Sequence, residues 1–162
     1  MSDAPLRVHA MRIVTGDEDL PEDRFSDHVN NARYFAFSNR AFQQWYRAMG
    51  IRGGVPGQAA MMAHLELDFL REVKPPAVVE VRLEAVRSGR TSLEHAIEIR
   101  DLGIDAAGEP VLAARGRAVH VWVERASRRS MPWPDEVLAK CRPAAMLSPV
   151  NFERQQKTNN EG

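Results

Sequence analysis

The segment from Asn30 to Met49 limits what this chain can fold into more than any other stretch. It carries an unbroken helical pattern, roughly 30 Å long at about 1.5 Å per residue. Phe35, Phe42, Trp45 and Met49 fall at three- and four-residue steps, and Phe37, Ala41 and Ala48 fall on the adjoining flank. That is wider than the single apolar stripe of an ordinary surface helix. Such a helix needs apolar cover on several sides, and Gly50 is placed to end it.

The rest of the sequence supplies the cover as strands. Leu6 to Val14 predicts a first strand, with Leu6, Val8 and Ala10 set against Arg7 and His9. The acidic stretch from Thr15 to Ser26, with Gly16 and Pro21, predicts a loop. After the helix, Leu65, Leu67 and Phe69 alternate with His64, Glu66 and Asp68. Beyond Pro75-Pro76, Val79, Val81, Leu83 and Ala85 alternate with Glu80, Arg82 and Glu84; Leu93, His95, Ile97 and Ile99 then alternate with Ser92, Glu94, Ala96, Glu98 and Arg100. The segment from Val111 to Glu124 changes character midway, from Ala114, Gly116 and Ala118 on one face to Val119, Val121 and Val123 on the other. A bulge at Gly116, or another backbone pressed against it, would produce that change. Pro134 to Lys140 predicts a short helix. Strand, long helix and four strands make an α+β domain over residues 1–142, one antiparallel sheet curled around one helix. Residues 143–162 read as a polar, disordered tail.

Composition narrows the class of function. Lys plus Arg and Asp plus Glu both number 22, so net charge points neither to nucleic acid nor to an anionic membrane. The single cysteine, Cys141, excludes an internal disulfide and a thiolate metal cluster. No apolar run approaches the roughly 18 residues of a bilayer span. Together with a polar start to the chain, these features suggest a cytoplasmic protein without a resident metal.

The polar stretch entering the helix carries the most specific signal. His28-Val29-Asn30-Asn31-Ala32-Arg33-Tyr34 resembles the His-Val-Asn-Asn-x-x-Tyr signature that opens the central helix of hotdog-fold thioesterases of the 4-hydroxybenzoyl-CoA thioesterase type. Pro75-Pro76, Gly89-x-x-Ser92 and Arg129-Ser130-Met131-Pro132-Trp133-Pro134 follow in the same order. The resemblance implies a hotdog fold and hydrolysis of an acyl-CoA or acyl-carrier-protein thioester. Coenzyme A would enter as part of the substrate, with no separate cofactor. It also implies a homodimer or homotetramer with active sites between subunits.

That chemistry needs donors for a developing oxyanion, and a helix start offers unpaired amides, here those of Val29 to Ala32. It also needs a carboxylate to activate water. The family carries its acid four residues before the histidine, or on the helix eleven or twelve residues after it. Arg24, Asn39 and Arg40 occupy those positions, and Asp27 replaces the family's glycine. Asp27 is the first candidate base and Asp23 the second, while Asp27 as a plain helix cap is the competing reading. His28 is a candidate to hold the thioester or to hold the loop; Asn30 and Asn31 are placed first to cap the helix, and one of them to orient water or substrate. Arg33 is placed to pair with the upstream acids, and His95 reads as a hydrogen-bonded core histidine. His64, Glu66 and Asp68 read as a solvent or subunit-interface face. Arg87, Ser88, Gly89, Arg90, Thr91 and Ser92 form a basic turn that could meet the phosphates and pantetheine of CoA or stand as a plain hairpin in water. The alternatives are a non-catalytic acyl-thioester binding protein and, on the Asp23–His28 spacing, an enoyl-thioester hydratase.

Overall fold

A computed structural model describes residues 7–22, 25–51, 55–103 and 108–141. In chain order the elements are β1 (Val8–Thr15), α1 (Asn31–Ala48), β2 (Gln58–Phe69), β3 (Ala77–Ser88), β4 (Ser92–Asp101), β5 (Val111–Glu124) and α2 (Asp135–Cys141), with a 3-10 turn at Asp17–Asp19. The five strands form one antiparallel sheet in the order β1-β3-β4-β5-β2, which leaves β1 and β2 as edges. Residues 143–162 lie outside the described residues, so the expected tail does too. Among the described residues, no helix is long and apolar enough to cross a membrane.

Helix α1 begins where Asn30 Oδ1 accepts the Ala32 N–H at 2.9 Å. It ends at Gly50, whose φ of 81° suits a residue without a Cβ. Its buried residues are Tyr34, Phe37, Ser38, Ala41, Phe42 and Trp45; with Met49 beyond them, Phe37, Ala41, Phe42 and Trp45 lie inside as expected. Phe35, expected inside, is 37% exposed, and Ala48 faces solvent. Ser38 takes a core position because its hydroxyl donates to the Tyr34 carbonyl at 2.9 Å.

Strands β3 and β4 turn the expected residues inward: Val79, Val81, Leu83 and Ala85, then Leu93, His95, Ile97 and Ile99, all 3% exposed or less. β1 has the opposite phase to the one expected. Ile13 and Thr15 are buried while Val8 and Val14 are exposed, and His9 Nε2 lies 2.9 Å from Gln44 Oε1 on α1. Pairing fixes this phase. Ile13 stands opposite the buried Val79, and directly paired residues share a face.

In β5 the inward residues include Ala114, Ala118, His120 and Trp122, and the three valines take the outer face. Of the two explanations for the change at Gly116, close backbone approach is the one found. A Cβ there would lie 1.9 Å from the Glu66 carbonyl oxygen. The register breaks fall elsewhere, at Ala113 in β5, Ala63 in β2 and Val86 in β3. α2 closes the far end of α1, where Cys141 Sγ lies 3.6 Å from Met49 Sδ and Lys140 Nζ donates to the Met49 carbonyl at 3.1 Å.

Candidate functional site at the start of the central helix

The loop leading into α1 is pinned by backbone bonds on both sides. The Val29 N–H donates to the Val73 carbonyl and the Asn30 N–H to the Asp19 carbonyl, each at 2.8 Å. Asp19 is buried, and its carboxylate accepts from the Gly16 N–H at 3.0 Å and from Arg33 Nε at 2.6 Å. Arg33 therefore does pair with an upstream acid, and that acid is Asp19.

These anchors spend most of the helix start. Of the four amides expected to face an oxyanion, those of Val29, Asn30 and Ala32 donate within the chain. Among the described residues only the Asn31 N–H has no acceptor. It opens the first turn of α1, where the helix dipole favours negative charge. Asn30 is the cap, so the competing reading of Asp27 as the cap is corrected: Asn30 stands at the helix boundary with the right backbone, and Asp27 precedes it in the loop.

Asp27 Oδ2 instead meets Lys74 Nζ at 2.7 Å, with both groups largely in solvent. The hydrogen bond from the ammonium holds the Asp27 carboxyl below the usual carboxylate range. His28 Nδ1 lies 3.7 Å from Glu72 Oε1. The ligand atoms of Asp27, His28 and Glu72 all fall within 4.8 Å of one another. That spacing would admit a cation, but Lys74 already brings positive charge to Asp27 and the group is exposed, so it carries no metal assignment. Asp23 lies outside the described residues.

Sequence reasoning missed Asp19, Glu72 and Lys74. Glu72 and Lys74 flank Val73, whose carbonyl holds the Val29 amide. No local periodicity announces that pairing.

The residues expected to meet CoA stand elsewhere. Arg87 to Ser92 form the β3–β4 hairpin, where the Gly89 N–H donates to the Ser92 carbonyl at 2.8 Å. Arg87 and Ser88 rim a small pocket with Ala85, Val86, Leu93, Leu138 and Cys141. Within one chain this hairpin and the Asp27 loop are not brought together. The loop neighbours the Thr15–Ala77 end of the sheet and the hairpin is at the other end, about 36 Å away along β3 at roughly 3.3 Å per residue.

The β2 edge does reach the site. The Phe69 ring packs edge-on against Tyr34 at 5.3 Å and Phe35 at 6.3 Å. Phe69, Leu70, Met61 and Met62 leave 37–56% of their surface exposed. On the same strand, His64 and Glu66 pair at 3.1 Å and Glu66 meets Arg117 at 2.6 Å, an exposed charged face as expected.

His95 is a core residue, as expected, but not a satisfied one. Among the described residues neither of its ring nitrogens has a partner.

No curated protein matches the chain. Solved structures do. A proposed thioesterase of Pseudomonas aeruginosa is 29% identical, with 81% of this chain and 95% of that one covered at a TM-score of 0.68. The Dynemicin thioesterase is 19% identical over 87% and 99% of the two chains, at a TM-score of 0.75. A 1,4-dihydroxy-2-naphthoyl-CoA thioesterase from Synechocystis is 15% identical over 83% and 95%, at 0.71. The sheet curled around α1 is thus the hotdog fold. The family model described as the thioesterase-like superfamily matches residues 13–141, and the chain belongs to that superfamily.

Proposed function

We propose that the protein hydrolyses an acyl thioester of coenzyme A or of a carrier protein. The observation that carries this reading is one helix-start amide without an acceptor among the described residues, Asn31 N–H, preceded in the loop by a solvent-accessible carboxylate, Asp27. Asp27 takes a proton from water as the water oxygen attacks the thioester carbonyl. The Asn31 N–H and the helix dipole hold the resulting oxyanion. When the tetrahedral intermediate collapses, the C–S bond breaks and the thiolate takes the proton back from Asp27. His28 stands beside the same site, with the Glu72 carboxylate 3.7 Å from its Nδ1.

A second copy completes the site. The apolar edge of β2 favours self-pairing about a twofold axis. Antiparallel pairing sets the Phe69 end of one β2 beside the Gln58 end of the other. Gln58 pairs with Glu124 and Ser92 with Val121, so the β3–β4 hairpin lies at that Gln58 end. The hairpin of one copy thereby approaches the Asp27 loop of the other, which reconciles two residue sets that one chain keeps apart.

The test is thiol release from a panel of acyl-CoAs. Wild type is expected to turn over and Asp27→Asn to lose at least about a hundredfold in kcat, with an unchanged circular dichroism spectrum. Full activity in Asp27→Asn refutes the assignment of the base. A second reading, acyl-thioester binding without hydrolysis, draws support from the three amides already spent at the helix start. It requires saturable acyl-CoA binding with no thiol released.

A further inference from the structure

A second polar cluster lies inside the core, at the other half of α1. His95 on β4 and His120 on β5 are 0% and 3% exposed, and the Tyr46 hydroxyl on α1 is buried too. The imidazole centroids are 5.9 Å apart, and the Tyr46 ring is 5.6 Å from that of His120. Phe42 and Trp45 wall the group at 4.5–5.1 Å. Four polar atoms here have no hydrogen-bond partner among the described residues: His95 Nδ1 and Nε2, His120 Nδ1 and Tyr46 Oη. Buried polar atoms are rarely left so, and a cluster of them marks the place of a guest.

The chemistry of the guest follows from the donors and acceptors. A neutral imidazole offers one N–H and one bare nitrogen, and a phenol both donates and accepts. A hydroxyl can accept from one ring and donate to the other. A charged guest would meet only aromatic and aliphatic walls, with no counter-charge in the cluster. The nearest opening on the surface adjoins the strands that carry the two histidines. Ala85 stands directly opposite His95 and Leu93 opposite His120, and both residues line the pocket rimmed by Arg87 and Ser88. Tyr46 is about 22 Å along α1 from Asn31 at about 1.5 Å per residue, so within one chain this is a place separate from the candidate thioester centre.

We propose that His95, His120 and Tyr46 form a receptor for one neutral hydroxyl group, reached through the pocket beneath the β3–β4 hairpin. The hydroxyl belongs either to an internal water or to a small phenol or alcohol. The experiment uses full-length protein with 15N-labelled histidine at pH 7, read by imidazole 15N shifts and by cross-relaxation between ring N–H protons and water, before and after titration with phenol. A long-lived water cross-peak at His95 or His120 that phenol leaves unchanged supports the site and names water as the guest. A saturable shift of both imidazoles supports it and names the phenol, provided that Leu138→Trp, which obstructs the pocket, abolishes the response. Tyr46→Phe should move both imidazole signals in either case. No water cross-peak and no saturable phenol response in folded protein overturns the proposal, whatever the thioesterase assay shows.

Discussion

Acidification should destabilise this fold through two residues of its core. Burial drives the His95 imidazole down from 6.5 to about 3, with His120 adding a smaller push, and burial drives His120 down to about 4. A histidine depressed in the folded state binds its proton more readily when unfolded, so stability is complete above pH 6.5 and is lost as the pH falls toward the folded values. At pH 5, about 1.5 pH units below the ordinary imidazole value, the unfolded chain holds nearly one more proton at each site than the folded one, which costs roughly 2 kcal/mol apiece and about 4 kcal/mol together. Against a total of about 5–15 kcal/mol for a typical domain, that is a large fraction. Urea denaturation followed by tryptophan fluorescence at pH 7, 6 and 5 should show the midpoint falling steeply, most of it between 6 and 5. Carboxylates of ordinary value, near 4, titrate mainly below this window. The double variant His95→Leu, His120→Phe should flatten the dependence. A wild-type loss below about 1 kcal/mol from pH 7 to 5, or an equal slope in the double variant, refutes the reasoning.

Other perturbations reach the remaining parts of the argument. Lys74→Ala removes the hydrogen bond that holds the Asp27 carboxyl down, so the acid limb of the kcat–pH profile should move up toward the ordinary carboxylate range. Gly116→Ala drives a methyl group into the Glu66 carbonyl oxygen, and chemical denaturation should show a loss of more than about 2 kcal/mol as the β2–β5 ladder is forced apart. Met62→Lys places a charge on the exposed β2 edge; light scattering should report a shift toward monomer, and thiol release should fall with it.

Much of the fold could be read along the chain. The broad apolar helix, its cap near Asn30, its stop at Gly50, and the alternation of β3 and β4 all arise from residues within a turn or two of one another. The heptapeptide at His28 located the candidate site for the same reason. β1 shows where local reading gives out. An edge strand with apolar residues on both faces takes its phase from its partner, and only the Ile13–Val79 register decides that Val14 meets solvent. Phe35 stands at the rim of the buried face, while Tyr34 and Ser38 lie within it, Ser38 made tolerable there by one hydroxyl-to-carbonyl bond.

The sequence by itself determined a capped apolar helix, the strands to sheath it, and a polar loop with acids at its start. The tertiary structure alone decided which groups meet. Lys74 reaches Asp27 and Glu72 nears His28 because the Val73 carbonyl holds the Val29 amide. Asp19 is buried under Arg33, and two histidines share one core with Tyr46. Periodicity records which face a residue takes within its own element. The juxtaposition of distant elements is set by packing and by the satisfaction of buried polar groups across the whole molecule.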